Sequence, residues 1–122
     1  MREKLDTGDY SIQGFEHLIA VERKGLGDLF QSLGRTRDNF EQNLKRMQKL
    51  EWKALVIEAT EEDVLTPQDS YSKIHPNAVR ASIIAIQVRY NLHVYYARNK
   101  IAAENWILNR FIKYYLIKRE GK

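Results

Sequence analysis

Cysteine is absent from the chain, which excludes disulfides and thiolate metal centres. The three histidines, His17, His75 and His93, are scattered without zinc-like spacing, so a metal ion would have to be held mainly by oxygen. Long apolar runs are also missing: charge interrupts every one well before the roughly 20 residues that span a bilayer. No segment reads as an export signal, a repeat, a low-complexity tract or a linker.

What is present suits one folded domain. The 122 residues are 43% apolar and 30% charged, far from the composition of disordered chains. A net charge of +4 and a sequence pI near 9.3 give a mild preference for polyanions, nucleic acid or an anionic membrane face.

Hydrophobic periodicity predicts an order of elements. Asp9 to Gln13 and His17 to Lys24 read as a β-hairpin around a turn at Gln13-Gly14-Phe15-Glu16, and the run Leu18-Ile19-Ala20-Val21 reads as buried on both faces. Gly25 breaks the strand; Leu26, Leu29, Phe30 and Leu33 then mark a short helix that Gly34 stops. Thr36 is the expected N-cap of a longer helix with Phe40, Leu44, Met47 and Leu50 inward and a basic outer side. Lys53 to Ala59 is expected in the middle of a sheet, with Glu58 at its end. Thr60 to Lys73 is polar and lacks a period, so a long loop is expected. A helix from Pro76 to about Asn91, a strand from Leu92 to Ala97 and a helix from about Asn99 to Arg119 follow. The last helix is apolar over more of its circumference than one core absorbs. The expected fold is α/β, a mixed central sheet between helices.

One stretch carries chemistry: Gly8-Asp9, then Glu22-Arg23-Lys24, then Asp28. Side chains alternate along a strand, so Glu22 and Lys24 leave one face and Arg23 the other. A hairpin turn between Gly14 and Phe15 lets Asp9 face the Glu22 end. Two converging carboxylates repel each other unless a divalent cation supplies the missing charge, and oxygen donors suit Mg2+ or Mn2+. Phosphodiester hydrolysis requires a metal to polarise the phosphate and acidify water, and a cation to stabilise the charge that develops, a role open to Lys24. Asp28 follows in the next helix as an outer acid.

At these residues the chain resembles the XPF family of structure-specific nucleases, whose signature runs Gly-Asp, a variable gap, Glu-Arg-Lys, three residues and Asp. The signature stands here as Gly8-Asp9 and Glu22-Arg23-Lys24-Gly25-Leu26-Gly27-Asp28. The likeness extends to Ser32-Leu33 and the arginines after it, the strand Leu55-Val56-Ile57-Glu58 and the helix start His75-Pro76-Asn77. The resemblance implies a restriction-endonuclease-like core and an Mg2+- or Mn2+-dependent endonuclease, of the kind used in DNA repair, that cuts branched, flapped or bubble DNA near single-strand to double-strand junctions. It also implies a homodimer paired through helices, here the C-terminal one, and a site built from Asp9, Glu22 and Lys24, with Glu58 as the strand-end acid.

Two features depart from the family pattern. The family's earlier strand, with Asp-x-Arg-Glu, is expected to be missing or supplied by something else, because Arg2-Glu3 stands too close to Gly8; the chain then reads as a fragment. The family's tandem helix-hairpin-helix modules are likewise expected to be missing, and a single nuclease domain is expected over residues 1–122. Arg23 either pairs with an acid on its own face or offers its carbonyl to the metal, and Arg35 and Arg37 either contact DNA phosphates or form a charge pair at the helix start. His75 is expected to fix a helix start, and His17 and His93 to be packed or hydrogen-bonded on strands. A cytoplasmic location is expected in a microbial or viral source, a nuclear one in a eukaryote. The rival function is a catalytically silent DNA-binding or scaffold subunit of a nuclease complex.

Overall fold

Strands that are apolar on both faces must be covered on both faces, and that requirement organises this fold. In the computed structural model of the chain, residues 10–66 and 75–121 and the backbone of residues 2–3 are described. The strands are β1 (Arg2–Glu3), β2 (Ser11–Ile12), β3 (Ile19–Lys24), β4 (Trp52–Ile57) and β5 (His93–Tyr96). The helices are α1 (Leu26–Leu33), α2 (Arg37–Met47), α3 (Glu61–Leu65), α4 (Pro76–Tyr90) and α5 (Lys100–Arg119).

Strands β3, β4 and β5 form a parallel sheet in that order, with Ile19 opposite Trp52, Lys24 opposite Ile57 and Ala54 opposite His93. β4 is central, as its apolar sequence predicts. Each parallel step needs a crossover, and two steps in one direction with one hand put both crossovers on the same face. There α1, α2 and α4 cover Ala20, Leu55 and Ile57 with Leu29, Phe40, Leu44, Ile83 and Ile86. The chain returns through α5 on the opposite face, where Ala103, Ile107 and Phe111 cover Val21, Ala54 and Val56. Burial of Ile107 and Phe111, both fully inaccessible, stabilises this layer by roughly 3–6 kcal/mol together.

The antiparallel part of the sheet is smaller than expected. Tyr10 and Val21 exchange both backbone bonds, at 3.1 and 2.9 Å, but β2 has two residues and β3 begins at Ile19 rather than His17. The turn spans Ile12 to Phe15, closed by Phe15 N–H donating to the Ile12 carbonyl at 2.8 Å, one residue earlier than expected. Gly14 takes φ +90° at the third turn position, where a type II turn needs a residue free of Cβ. His17 therefore lies exposed in a turn and not on a strand. Arg2–Glu3 forms a short strand antiparallel to β2, an element not expected from its sequence.

Residues 60–66 correct the expected loop. Thr60 Oγ1 accepts from Asp63 N–H at 3.0 Å and the Asp63 carboxylate accepts from Thr60 N–H at 3.4 Å, a reciprocal cap that starts α3. The rest of that expected loop, 67–73, lies outside the described residues. Thr36 precedes α2 but does not cap it, since its hydroxyl donates back to the Gln31 carbonyl at 3.1 Å; the limits of α4 and α5 follow their sequence signals. His75 Nδ1 accepts from Asn77 N–H at 3.1 Å before Pro76, Asn91 closes α4 at φ 54°, and Asn99 Oδ1 accepts from Ala102 N–H at 2.8 Å. His93 stacks on Trp52 with ring centroids 5.0 Å apart.

Two ionic clips join distant elements. Glu41 on α2 accepts from Arg37 Nε at 2.6 Å, Tyr90 OH at 2.8 Å and Arg89 at 2.9 Å; Arg37, then Tyr90, hold its carboxyl below the usual range. Glu51 accepts from Lys118 at 2.6 Å and Tyr114 OH at 2.7 Å, fastening the end of α5 beside β4. Burial, then the bond to Glu51, raise the Tyr114 hydroxyl well above its ordinary value.

Candidate active site

The end of β3 divides its charged residues between the two faces of the sheet. Ala20, Glu22 and Lys24 share the face toward α1 and α2, and Val21 and Arg23 the face toward α5. Glu22 is 6% exposed, unusually buried for an acid. Its Oε2 lies 3.5 Å from Lys24 Nζ and its Oε1 accepts from Asn43 Nδ2 at 2.8 Å. Lys24 Nζ also sits 5.3 Å from the centre of the Phe40 ring, its charge over the aromatic face. These groups line a cavity of about 180 Å³ whose remaining wall is Ser32, Thr36 and Asn39.

Arg23 turns to the other side. Its Nε donates to Glu58, a second nitrogen lies 3.6 Å from Glu104, and the guanidinium stands 6.0 Å from the Tyr10 ring centre. Burial alone would lower the pKa of Arg23, but the bond and charge of Glu58 hold it above its ordinary value. Asp28 and Lys100 line the same basin of about 440 Å³.

The structure thus brings together Glu22 and Lys24 but places Asp28 and Glu58 across the sheet from them. Asp28 does not reach Lys24 as an outer acid, and Glu58 is the partner of Arg23. The alternation that separates Glu22 from Arg23 also separates Ile57 from Glu58, which fixes Glu58 on the Arg23 side. The Arg23 side chain therefore takes the paired role. Its carbonyl has a definite direction too. Leu18 and Lys24 carbonyls accept from Trp52 and Glu58 N–H at 3.0 and 2.8 Å, whereas the Val21 carbonyl accepts from Tyr10 at 3.1 Å. Carbonyls alternate along a strand, so that of Arg23 points with Val21 toward the β2 side.

Asp9, the second expected acid, lies outside the described residues. Arg35 is exposed next to Thr36, on the cavity wall. Arg37 is engaged with Glu41 and donates to Ser82 Oγ at 3.1 Å, so it forms the charge pair at the helix start. Asn43 was not singled out by the sequence. Its signal was the helical period, which sets it three residues after Phe40 on the flank of the buried stripe.

Among the described residues no cluster of three or more acids and histidines is close enough to hold a metal ion. The groups at the Glu22 cavity nevertheless fit a hard divalent cation: a buried carboxylate, with the hydroxyl and amide oxygens of Ser32, Thr36 and Asn39 on the described wall. Among the described residues that line the cavity, none carries sulfur or imidazole.

The sequence matches the ERCC4 domain family over residues 1–109. The chain belongs to the ERCC4 domain family. That family is one of DNA endonuclease domains. Among solved structures, the ERCC4 domain is similar to XPF from Aeropyrum pernix in complex with DNA, at a TM-score of 0.66 and 18% identity, covering 92% of this chain and 50% of that one. A second structure of XPF from Aeropyrum pernix matches at a TM-score of 0.58 and 24% identity, over 78% of this chain and 43% of that one. The domain spans about half the length of these chains or less. The likeness agrees with the α/β core expected from the sequence. Comparison with curated protein sequences gave no match. No helix among the described residues is long and apolar enough to cross a membrane.

Proposed function

We propose that this ERCC4 domain is a divalent-metal-dependent endonuclease that hydrolyses DNA phosphodiesters, with branched, flapped or junction DNA as substrate and Mg2+ or Mn2+ as cofactor. The observation that carries the reading is the pairing of a buried Glu22 with Lys24, 3.5 Å apart on one face of β3 over a polar cavity, in a chain of this family. Asp9, Glu22 and the carbonyl of Arg23 are the metal ligands of the proposal. The cation supplies charge neutralisation at the phosphate and activates water.

The chain's own groups do the rest. Glu22 is held at a fixed position by Asn43 and the strand, so it meets the cation without reorganising. Lys24 keeps a positive charge at the cavity wall, on the apolar face of Phe40, where charge developing on the phosphate is stabilised most strongly. Arg35 offers a phosphate contact beside the cavity, whereas Arg37 reaches DNA only by leaving Glu41. The Arg23–Glu58 pair braces the site from behind, with Glu58 in support of the strand and Asp28 lining the same basin as an outer acid.

The domain is further proposed to pair through α5. Ile101, Leu108 and Ile112 recur seven and four residues apart on the side of α5 away from its buried face, and are 70%, 43% and 40% exposed.

The test is cleavage of labelled flap, splayed-arm and linear DNA with Mg2+, Mn2+ or chelator. Asp9→Asn is expected to abolish cutting while sparing DNA binding, and Lys24→Ala to slow it about 10²–10³-fold. A folded chain that binds branched DNA and cuts none of these substrates would make it a silent scaffold subunit.

A further inference from the structure

We infer that Asn43 is a positioning residue of the proposed metal site, holding the Glu22 carboxylate with the NH2 end of its amide. The inference rests on the reading of Glu22 as a metal ligand.

The argument begins with the orientation of the amide. An ionised carboxylate only accepts hydrogen bonds, so the 2.8 Å contact between Asn43 and Glu22 Oε1 requires the NH2 end of the amide to face the acid. With that end fixed, Oδ1 must face away, where it is buried and meets no donor among the described residues. A buried carbonyl oxygen ordinarily finds a donor, so leaving this one unmet is a cost the fold bears in order to place the NH2 group on the acid. Lys24, already 3.5 Å from Glu22, fixes the other carboxylate oxygen from the opposite side. The Asn43 amide and the Lys24 ammonium thus each hold one oxygen of the Glu22 carboxylate.

A purely structural asparagine would show a different pattern. Bridging α2 to β3 for stability alone would favour an amide satisfied at both ends, or an apolar residue in line with Phe40, Leu44 and Met47. Here the donor end is committed to the candidate ligand while the oxygen goes unpaired among the described residues, so the amide is set by the carboxylate and not by its own satisfaction. That is the arrangement of an outer residue that sets the orientation of a metal-binding carboxylate.

The test compares Mn2+ affinity, read from the electron paramagnetic resonance signal of free Mn2+, with thermal stability for the full chain and four variants. Asn43→Ala and Asn43→Leu are both expected to weaken Mn2+ binding about ten- to hundredfold, although leucine retains the packing volume and hence more of the melting temperature. Asn43→Ser, which replaces the amide with a shorter hydroxyl donor on Cβ, is expected to recover part of the affinity. Where alanine fails to fold, the leucine and serine pair decides. Affinity that follows the melting temperature, weak in alanine and close to the parent in leucine, would overturn the inference. Glu22→Gln is the control. If it loses Mn2+ while Asn43→Ala and Asn43→Leu keep it, the positioning role falls and the metal reading stands; if Glu22→Gln binds as the parent does, the metal reading falls and takes the inference with it.

Discussion

Glu58 is the residue for which the structure and the family resemblance give different answers, and its removal distinguishes them. Its carboxylate receives the Arg23 guanidinium, whose side chain is 9% exposed against 24% for its own. A hydrogen bond to a charged group contributes about 1.5–3 kcal/mol. The larger cost of orphaning a fully buried charge, about 3–5 kcal/mol, is not reached, because Glu104 remains 3.6 Å from the guanidinium and Glu58 stands at a wet rim. Glu58→Ala should therefore cost about 2 kcal/mol, which for a chain of 122 residues lowers the melting temperature by roughly 8 °C. Thermal unfolding followed by circular dichroism, on the parent, Glu58→Ala, Arg23→Met and the double variant, should return a coupling of about 1–2 kcal/mol. The metal concentration for half-maximal cleavage should not move. A Glu58→Ala chain that melts within about 2 °C of the parent but no longer responds to metal would refute the structural assignment and return Glu58 to the cutting machinery.

Further perturbations probe other layers of the fold. Phe111→Ala, at a fully buried site on α5, should destabilise by about 3–5 kcal/mol in equilibrium denaturation; a loss under about 1 kcal/mol would mean that α5 does not hold its face of the sheet. The Glu41 carboxyl is held below 4.5 by Arg37 first and Tyr90 next, so its stabilisation is complete above that pH and is lost as pH falls through the folded value. The melting temperature of Glu41→Gln should accordingly fall less steeply than the parent's below pH 4.5, and parallel curves would disprove the linkage. Leu108→Glu combined with Ile112→Glu should convert a dimer to a monomer in sedimentation without unfolding it. A parent that is already monomeric at high concentration would end the pairing proposal.

Periodicity made most of the elements legible. The central β4, α2 with its Phe40, Leu44 and Met47 stripe, α4 behind Pro76 and the long α5 all follow from apolar spacing, joined in α4 and α5 by side-chain caps. The short α3 was hidden because five residues give no period; its signal was local, in Thr60 and Asp63 three residues apart. The hairpin is present at Tyr10 and Val21, but its extent was not legible because the Leu18-Ile19-Ala20-Val21 run reports burial and not hydrogen-bonding direction. Its partners turned out to be chiefly parallel, with Tyr10 the antiparallel contact at Val21. At the site, alternation correctly separated Glu22 and Lys24 from Arg23. The company each keeps was not legible, since Asn43 and Glu104 come from helices whose rotation about their axes only packing decides.

The position of β3 within the sheet bears on how the site behaves in time. Its backbone is bonded on one side along all of β4 and on the other to Tyr10, and both of its faces are sealed by helices. Segments tied in this way exchange their amide hydrogens only when the whole domain opens. Glu22 and Lys24 thus ride on the element that should be last to loosen, and their spacing is as durable as the fold. Denaturant should not silence the chemistry ahead of unfolding: loss of cutting and loss of secondary structure should trace one curve.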